Sequence, residues 1–562
     1  MKLINLLRAK SGNQENFLLR DHILETLRRT KQLKEFVENN TDSITYPYFK
    51  DDDFFMSLAL ALILHDLGKI NYDFQRIVYK DKDSGDHERW KNLERILKQS
   101  KNVNIKDHEV LSGIWASFII DKSKCKIEEW IPKIRTAVLL HHYNGYYIGK
   151  KDLMEIVVDD LESVRAYLDF MIDNWAELSI FLKDLIDSIH EEFKEEEFIL
   201  NAIKVIEDEL KIERAKKLLE MVKSRDDDIS EFAKFYEIDN ENPDYDFFVF
   251  LGCLRRCDYS ASGQVKIEEE VVLKELYRAV ESNIKEKINA PLWQEKLLGK
   301  IDGESSVLIA PTGSGKTEFA FLWVKNIGKK LIYTLPLRVA LNDLFKRFNG
   351  YAPNGDENIG LLHSTAFMEY VTEEEKGLEI DIEKKLSSAK ILSSPLLLST
   401  PDQVFLTSLN YYGSDKVISI YPFSAFVIDE IQTYNPEMAS IIIKTLKIIE
   451  KLGGKILVMT ATLPPYYKPF FFATPEDGVK IEDKYAKVYH DHRLRLKKLD
   501  TESIKEEVKN YIRPKRHKIK VVDGGYLVDE NLNVNENDLM MYLKKLIESG
   551  KKNNFIVVNN VS

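Results

Sequence analysis

The run Ala310–Thr317, APTGSGKT, constrains the fold of this chain more than any other stretch. It fits the phosphate-binding loop pattern, with alanine in place of the first glycine, and such a loop works only between a buried strand and a helix. Both flanks are present: SVLIA (306–310) is strand-like and EFAFLWVKNI (318–327) is helical in pattern. Further β-rich runs follow, KKLIYTLP (329–336), ILSSPLLLST (391–400), FSAFVIDE (423–430) and GKILVMT (454–460), with helical stretches between them. Strands alternating with helices indicate a parallel α/β sheet. Within the loop, Thr312, Gly313, Ser314 and Gly315 would wrap backbone N–H groups around phosphate oxygens at a helix N-terminus. Lys316 would reach the β- and γ-phosphates of ATP, and Thr317 its magnesium ion.

Upstream the texture is different. Residues 1 to about 265 are helix after helix, including FFMSLALALILHDLGKI (54–70), DHEVLSGIWASFII (107–120) and IRTAVLLHHYNGYY (134–147). Residues 150 to 250 carry Glu, Asp and Lys at helical spacing, the pattern of a solvated helical insertion. Five of the eleven histidines, His22, His65, His108, His141 and His142, lie on or beside apolar helical segments. Neutral imidazole ligates divalent metals, and neighbours on a helix point about 100° apart. His65–Asp66 and His141–His142 can therefore each address two metals in one cavity. Asp66 is the natural bridging carboxylate, and Asp258, in LRRCDYSAS, would arrive from a later helix as a terminal ligand. His87 competes for the role of His108 but sits in the polar run SGDHERW, which reads as a loop. His108 opens an apolar helix with Ser112 one turn on. Mixed imidazole and carboxylate ligands favour manganese, iron, cobalt or nickel, with magnesium admissible. Two such ions would clamp the attacking and leaving oxygens of a phosphodiester.

Composition narrows the setting. At 562 residues the chain should hold several domains. The longest apolar stretch, Phe54 to Leu64, is shorter than the roughly 20 residues a membrane span needs. MKLINLLRAK lacks a signal-peptide core, so the expected location is the cytoplasm, away from any membrane. Of three cysteines, Cys253 and Cys257 sit four apart, but no second pair completes a zinc site, and packing is the expected role. A net charge of −11 argues against a general electrostatic hold on nucleic acid. A local stripe of Arg493, Arg495, Lys497, Lys498 and RPKRHKIK (513–520) is the candidate path.

The order H…HD…H…HH…D is similar to the HD superfamily of metal-dependent phosphohydrolases. The extra His108 and the His141–His142 pair resemble the two-metal variety fused to a helicase in type I CRISPR systems. That resemblance implies two transition metals and cleavage of single-stranded DNA, with Lys69 of HDLGK facing the scissile phosphate. Downstream, FVIDEIQ delivers Asp429 to magnesium and Glu430 to the hydrolytic water. TAT (460–462), LPLRVALNDL with Arg338, and TPDQV (400–404) resemble motifs of superfamily 2 helicases that couple hydrolysis to grip on a nucleic-acid backbone. Gln294, in PLWQEKLL, matches the upstream adenine-reading glutamine, although packing explains it equally. DEIQ departs from the commoner DEAD and DEAH forms, which leaves the contacts of its fourth residue open.

The implied architecture is multidomain: an all-α HD-type nuclease domain at 1–265, a RecA-like α/β helicase lobe at 266–485, and the beginning of a second RecA-like lobe at 486–562. That second lobe reads as only begun, because no Q-x-x-G-R-x-x-R string follows Thr462 and NNFIVVNNVS (553–562) resembles its first strand. The implied activity is that of a CRISPR-associated ATP-dependent helicase and metal-dependent single-stranded DNA nuclease in antiviral defence. Its implied partner is a Cascade-type surveillance complex with its guide RNA and target-DNA R-loop, and its implied polarity is 3′ to 5′. Two other readings stay open: an HD-type nucleotide phosphohydrolase with a regulatory NTPase module, and a non-catalytic DNA-binding subunit.

Overall fold

The structure is a computed structural model. It describes residues 2–10, 18–79, 84–103, 107–120, 127–142, 161–209, 235–239, 242–288, 292–301, 303–352, 358–366, 382–472 and 491–501, with isolated residues besides. An N-terminal helical region is followed by a parallel α/β sheet. The helices are α1 (Leu19–Asn39), α2 (Asp52–Leu64), α3 (Tyr72–Val78), α4 (Ser84–Leu97), α5 (His108–Ile119) and α6 (Ile131–Leu140). They continue as α7 (Leu161–Asp173), α8 (Trp175–Glu192), α9 (Glu197–Glu209) and α10 (Tyr245–Ser262). None of the described helices is long and apolar enough to cross a membrane.

The centre of the helical region is α2. Every residue from Phe54 to Leu64 except Met56 is buried, and a helix apolar on all sides must be wrapped by others. Its start is fixed by Asp51, whose side chain accepts from Asp53 N at 3.0 Å, with Asp52 and Asp53 set against the positive helix terminus. Around it pack α1, α6, α9 and α10. Phe55 meets Phe198 of α9 with ring centroids 6.1 Å apart, and Ile199, Ala202, Ile203 and Ile206 of α9 are buried. The stretch expected to be a solvated insertion therefore contributes part of the core: its charges occupy one face of each helix and its apolar residues the other.

After α11 (Leu273–Ile288) and α12 (Trp293–Leu298) come strands β1 (Ser306–Ile309), β2 (Lys330–Thr334), β3 (Ile359–Leu362), β4 (Leu396–Ser399), β5 (Ser424–Asp429), β6 (Lys455–Thr460) and β7 (Lys497–Asp500). Their order across the sheet is β3-β4-β2-β5-β6-β1-β7, and all pairings are parallel. Helices α13 (Lys316–Ile327), α14 (Arg338–Asn349), α15 (Ile382–Lys390), α16 (Ser414–Ile418) and α17 (Pro436–Lys451) connect them. The five central strands are almost wholly buried, as a sheet covered on both faces requires.

Strand β7 corrects the expected boundary at 485. Lys497–Asp500 pairs in parallel register with Ser306–Ile309, so residues up to 500 complete the first sheet. Backbone pairing decided this, and the short, charged run LKKLD hid it. The chain divides into compact units at Met1–Val508 and Lys509–Ser562. The expected second lobe falls almost wholly outside the described residues, as do RPKRHKIK and Cys125. Lys497 donates to Lys300 O at 2.7 Å on the strand-start edge of the sheet, opposite the edge that carries the motifs.

Candidate metal centre and nucleotide site

Helices α2 and α6 both end immediately before a ligand doublet, His65–Asp66 and His141–His142. The last carbonyls of a helix lack intrahelical partners, and the first histidine of each doublet uses one. His65 Nδ1 lies 2.6 Å from Leu62 O, and His141 Nδ1 lies 2.6 Å from Val138 O. A carbonyl only accepts, so each Nδ1 carries the proton and each Nε2 turns a lone pair inward. The two doublets are thus built the same way.

Six side chains from α1, α2, α5, α6 and α10 converge on this point, and His142 completes the set. Asp66 Oδ2 lies 3.2 Å from His22 Nε2 and 3.4 Å from His65 Nε2. Its other oxygen lies 3.4 Å from His108 Nε2 and 3.7 Å from His141 Nε2. Asp258 reaches His22 Nε2 with one oxygen and His142 Nε2 with the other, both at 3.1 Å. His22, His65 and Asp258 form one potential ligand group, and His108, His141 and His142 another. The two oxygens of Asp66 face one group each, as a bridging ligand requires.

The donors fit a metal pair. The Nε2 atoms of His22, His65, His108 and His141, with Asp66 Oδ1 and Asp258 Oδ2, are buried and make no well-formed hydrogen bond despite their proximity. Leaving so many buried polar atoms unpaired is costly, and lone pairs converging on a common point are what a cation satisfies. Burial opposes charge on Asp66, but His65 and Lys69, with His108 and His141 beside them, hold its carboxyl well below the usual range. Burial likewise opposes charge on Asp258, which His142, His22 and His65 hold low. Burial, then repulsion from His142, keeps His141 neutral and ready to ligate. Against burial, Asp258 and Asp66 raise the pKa of His22 and His142. Protons there answer the two carboxylates; divalent ions would answer them and the ring nitrogens together.

Lys69 is brought to the site, 8% exposed, with Nζ 2.6 Å from Asp66 Oδ2. The turn between them is pinned by Gly68 N donating to Ser112 Oγ at 2.9 Å and by Asn71 Nδ2 donating to Gly68 O at 2.6 Å. A Cβ on Gly68 would stand 1.9 Å from His108 O and 2.5 Å from Ser112 N. Only glycine lets this turn lie against α5. We expect Gly68→Ala to destabilise the fold by about 1–3 kcal/mol and to loosen His108, seen as a lower melting temperature and weaker manganese binding. His87 is not part of the centre. It lies exposed on α4, where Trp90 and Leu93 supply the buried face and turn the supposed loop into a helix.

At the sheet the motifs share one edge, the carboxyl ends of parallel strands, where α/β proteins bind ligands. The phosphate loop follows β1, Arg338 follows β2, Thr400–Gln403 follows β4, Asp429–Glu430 ends β5 and Thr460–Thr462 ends β6. Gly313 and Gly315 take φ of +76° and +93°, which a side chain would resist. Trp293 Nε1 donates to Ser314 O at 2.8 Å and Gln294 Nε2 to Gly315 O at 3.1 Å, so α12 braces the loop from beneath. Lys316 Nζ lies 3.1 Å from Glu430 Oε1. Tyr333 donates to Asp429 Oδ2 at 2.6 Å. Burial, with the charge of Glu430, pushes the Asp429 carboxyl above its ordinary value against the pull of Tyr333 and Lys316. Glu430 itself is left-handed, φ +54°, the kind of strain that gathers at functional sites.

The fourth residue of DEIQ has a defined role in this geometry. Gln432 donates through Nε2 to Glu430 and accepts through Oε1 from Thr460 Oγ1, the latter at 2.6 Å. It ties the DE pair to TAT. Cys253 and Cys257 are free and buried, with Thr30 Oγ1 3.7 Å from Cys257 Sγ, in keeping with packing. Sequence reasoning missed the buried pair Arg255–Asp415 between the helical region and the sheet. Two arginines inside the apolar run FFVFLGCLRRCD were the available signal.

Comparison with known proteins bears on this arrangement. The DEAD/DEAH box helicase family matches residues 292–469. The CRISPR-associated nuclease/helicase Cas3 of Methanothermobacter thermautotrophicus is 42% identical over 569 residues, spanning all of this chain and 63% of that protein. The chain is a homologue of the Cas3 nuclease/helicases. The endonuclease/helicase Cas3 of Escherichia coli is 27% identical over 179 residues, 28% of this chain and 20% of that one. A crystal structure of T. fusca Cas3 with AMPPNP shows 15% identity and a TM-score of 0.45, covering 82% of this chain and 50% of that chain. The present chain thus spans less than two thirds of the length of its Methanothermobacter Cas3 relative.

Proposed function

We propose that this chain is a metal-dependent nuclease acting on single-stranded DNA, joined to an ATP-driven motor, in CRISPR antiviral defence. The observation that carries the reading is Asp66, with one oxygen toward each of two buried imidazole groups. His22, His65 and Asp258 would hold one divalent ion, and His108, His141 and His142 the other. Manganese, iron, cobalt or nickel suits five imidazoles, with magnesium admissible. The bound pair would supply Lewis acidity and a water of lowered pKa. Asp66 keeps its charge through Lys69, and Asp258 orients His22 and His142. Single strands suit a centre this enclosed: His142 is the most exposed of the ligands, with 29% of its side chain open. At the sheet edge, Lys316 would exchange Glu430 for the phosphates of ATP, Asp429 and Thr317 would hold magnesium, and Glu430 would orient the hydrolytic water. Gln432 would report that exchange to Thr460. Gln294 would contribute by fixing the loop backbone. A Cascade-type complex with its guide RNA and R-loop is the partner suggested by the Cas3 homology.

The test is cleavage of circular single-stranded DNA across a panel of metals. Manganese, cobalt or nickel should support cutting without ATP, whereas calcium alone should leave the circle closed, because it prefers all-oxygen shells. Equal cutting in calcium would overturn this ligand assignment.

A further inference from the structure

We propose that the segment Tyr412–Asp415 of the α/β lobe is a positioning element of the metal centre, acting through Arg255; this rests on the two-metal reading above. Arg255 and Asp415 are both fully buried. Arg255 Nη1 pairs with Asp415 Oδ1 at 2.5 Å, and the guanidinium carbon stands 4.5 Å from the Tyr412 ring centroid. The remaining donors turn the other way. Nε donates to His141 O at 2.9 Å and Nη2 to Leu140 O. These are carbonyls at the end of α6, where the helix itself supplies no partner. One planar, fixed fork therefore spans from a carboxylate on the sheet lobe to the backbone that carries His141 and His142.

A second path runs in parallel. The Tyr259 hydroxyl lies 3.1 Å from the Tyr412 hydroxyl and 3.5 Å from His142 Nδ1. The Tyr259 and His142 rings stack, 5.6 Å apart and 15° from parallel. The elements are also built to meet: a Cβ on Gly252 of α10 would stand 2.0 Å from Asp415 O. A buried ion pair is a weak source of stability, and apolar residues would join the lobes as well. What they would not do is hold two carbonyls at bonding distance. The backbone that carries two ligands of the His108–His141–His142 group is thus held from the α/β lobe as well as by α6, whereas among the described residues no such fork from that lobe reaches His22 or His65 on α1 and α2.

The experiment is a cobalt titration of the full chain, read by visible absorption, for the wild type, Asp415→Asn and Tyr412→Leu. The second variant removes the ring beside Arg255 and the hydroxyl beside Tyr259 at a partly exposed position, and it serves if Asp415→Asn does not fold. The wild type should take two equivalents. In the variants one equivalent should bind normally, and the other about 10- to 100-fold more weakly with an altered spectrum, while ATP binding stays unchanged. A folded variant that takes both ions with wild-type affinity and spectrum overturns the proposal and leaves the metal centre standing. A wild-type chain that takes no cobalt overturns the metal reading, and this inference with it.

Discussion

Asp66→Ala is expected to abolish metal-dependent cutting of single-stranded DNA while ATP binding persists. Asp66 is fully buried, and each of its oxygens faces two ring nitrogens, one pair in each ligand group, whereas Asp258 comes within 3.1 Å of one ring of each group. Its loss removes the bridge, strands Lys69 without its partner, and leaves a cluster of imidazoles with half its negative charge. Charge stabilisation by a metal pair is worth several kcal/mol, so the loss should be about 10³-fold or more in rate. The phosphate loop is built on β1 and α12 and shares no residue with this cluster. Initial rates on circular single-stranded DNA, with nucleotide binding measured on the same preparations, check both halves. His87→Ala should match the wild type, since that residue is exposed on α4. Undiminished cutting by Asp66→Ala would remove the hydrolase reading altogether.

Lys316→Ala should have the second largest effect, on the other activity. Lys316 is 6% exposed and opens α13 behind the glycine turn, with Glu430 as its partner. A single preorganised charge at a transferring phosphoryl group contributes about 10²-fold or more to turnover. ATP hydrolysis should fall by at least that, and cutting of single strands without ATP should not change. Phosphate release and nicking measured side by side separate the two. If nicking fell in step with hydrolysis, the metal centre would not be independent of the motor site.

The sequence exposes which side chains converge more readily than where the elements begin and end. Residues whose chemistry is local were legible: the glycine turn before Lys316, Asp429 at the end of an apolar run, and imidazoles at the ends of apolar helices. His65 and His141 were found because each ends such a helix. Why they point inward was not legible, since the i−3 carbonyl that fixes each ring is a property of the helix end. Strand β7 escaped because its four residues are specified by pairing with β1 and hardly at all by their own pattern. The α9 helix was read as solvated surface because it lies in a stretch dense in Glu, Asp and Lys, although its buried apolar residues outnumber its own charges. Gln432 and Arg255 act through partners 28 and 160 residues away, and no local spacing announces such contacts.

The central claim, two ions bridged by Asp66 and cutting single strands, is tested most directly by one incubation. Purified protein with manganese and no ATP is given circular single-stranded DNA and, in parallel, free nucleotides. The circle should become linear and then shorten, EDTA should stop the reaction, and the nucleotides should survive. An intact circle beside hydrolysed nucleotides would contradict the nuclease reading in favour of a nucleotide phosphohydrolase. An intact circle with intact nucleotides would leave only a subunit that binds DNA without cutting it.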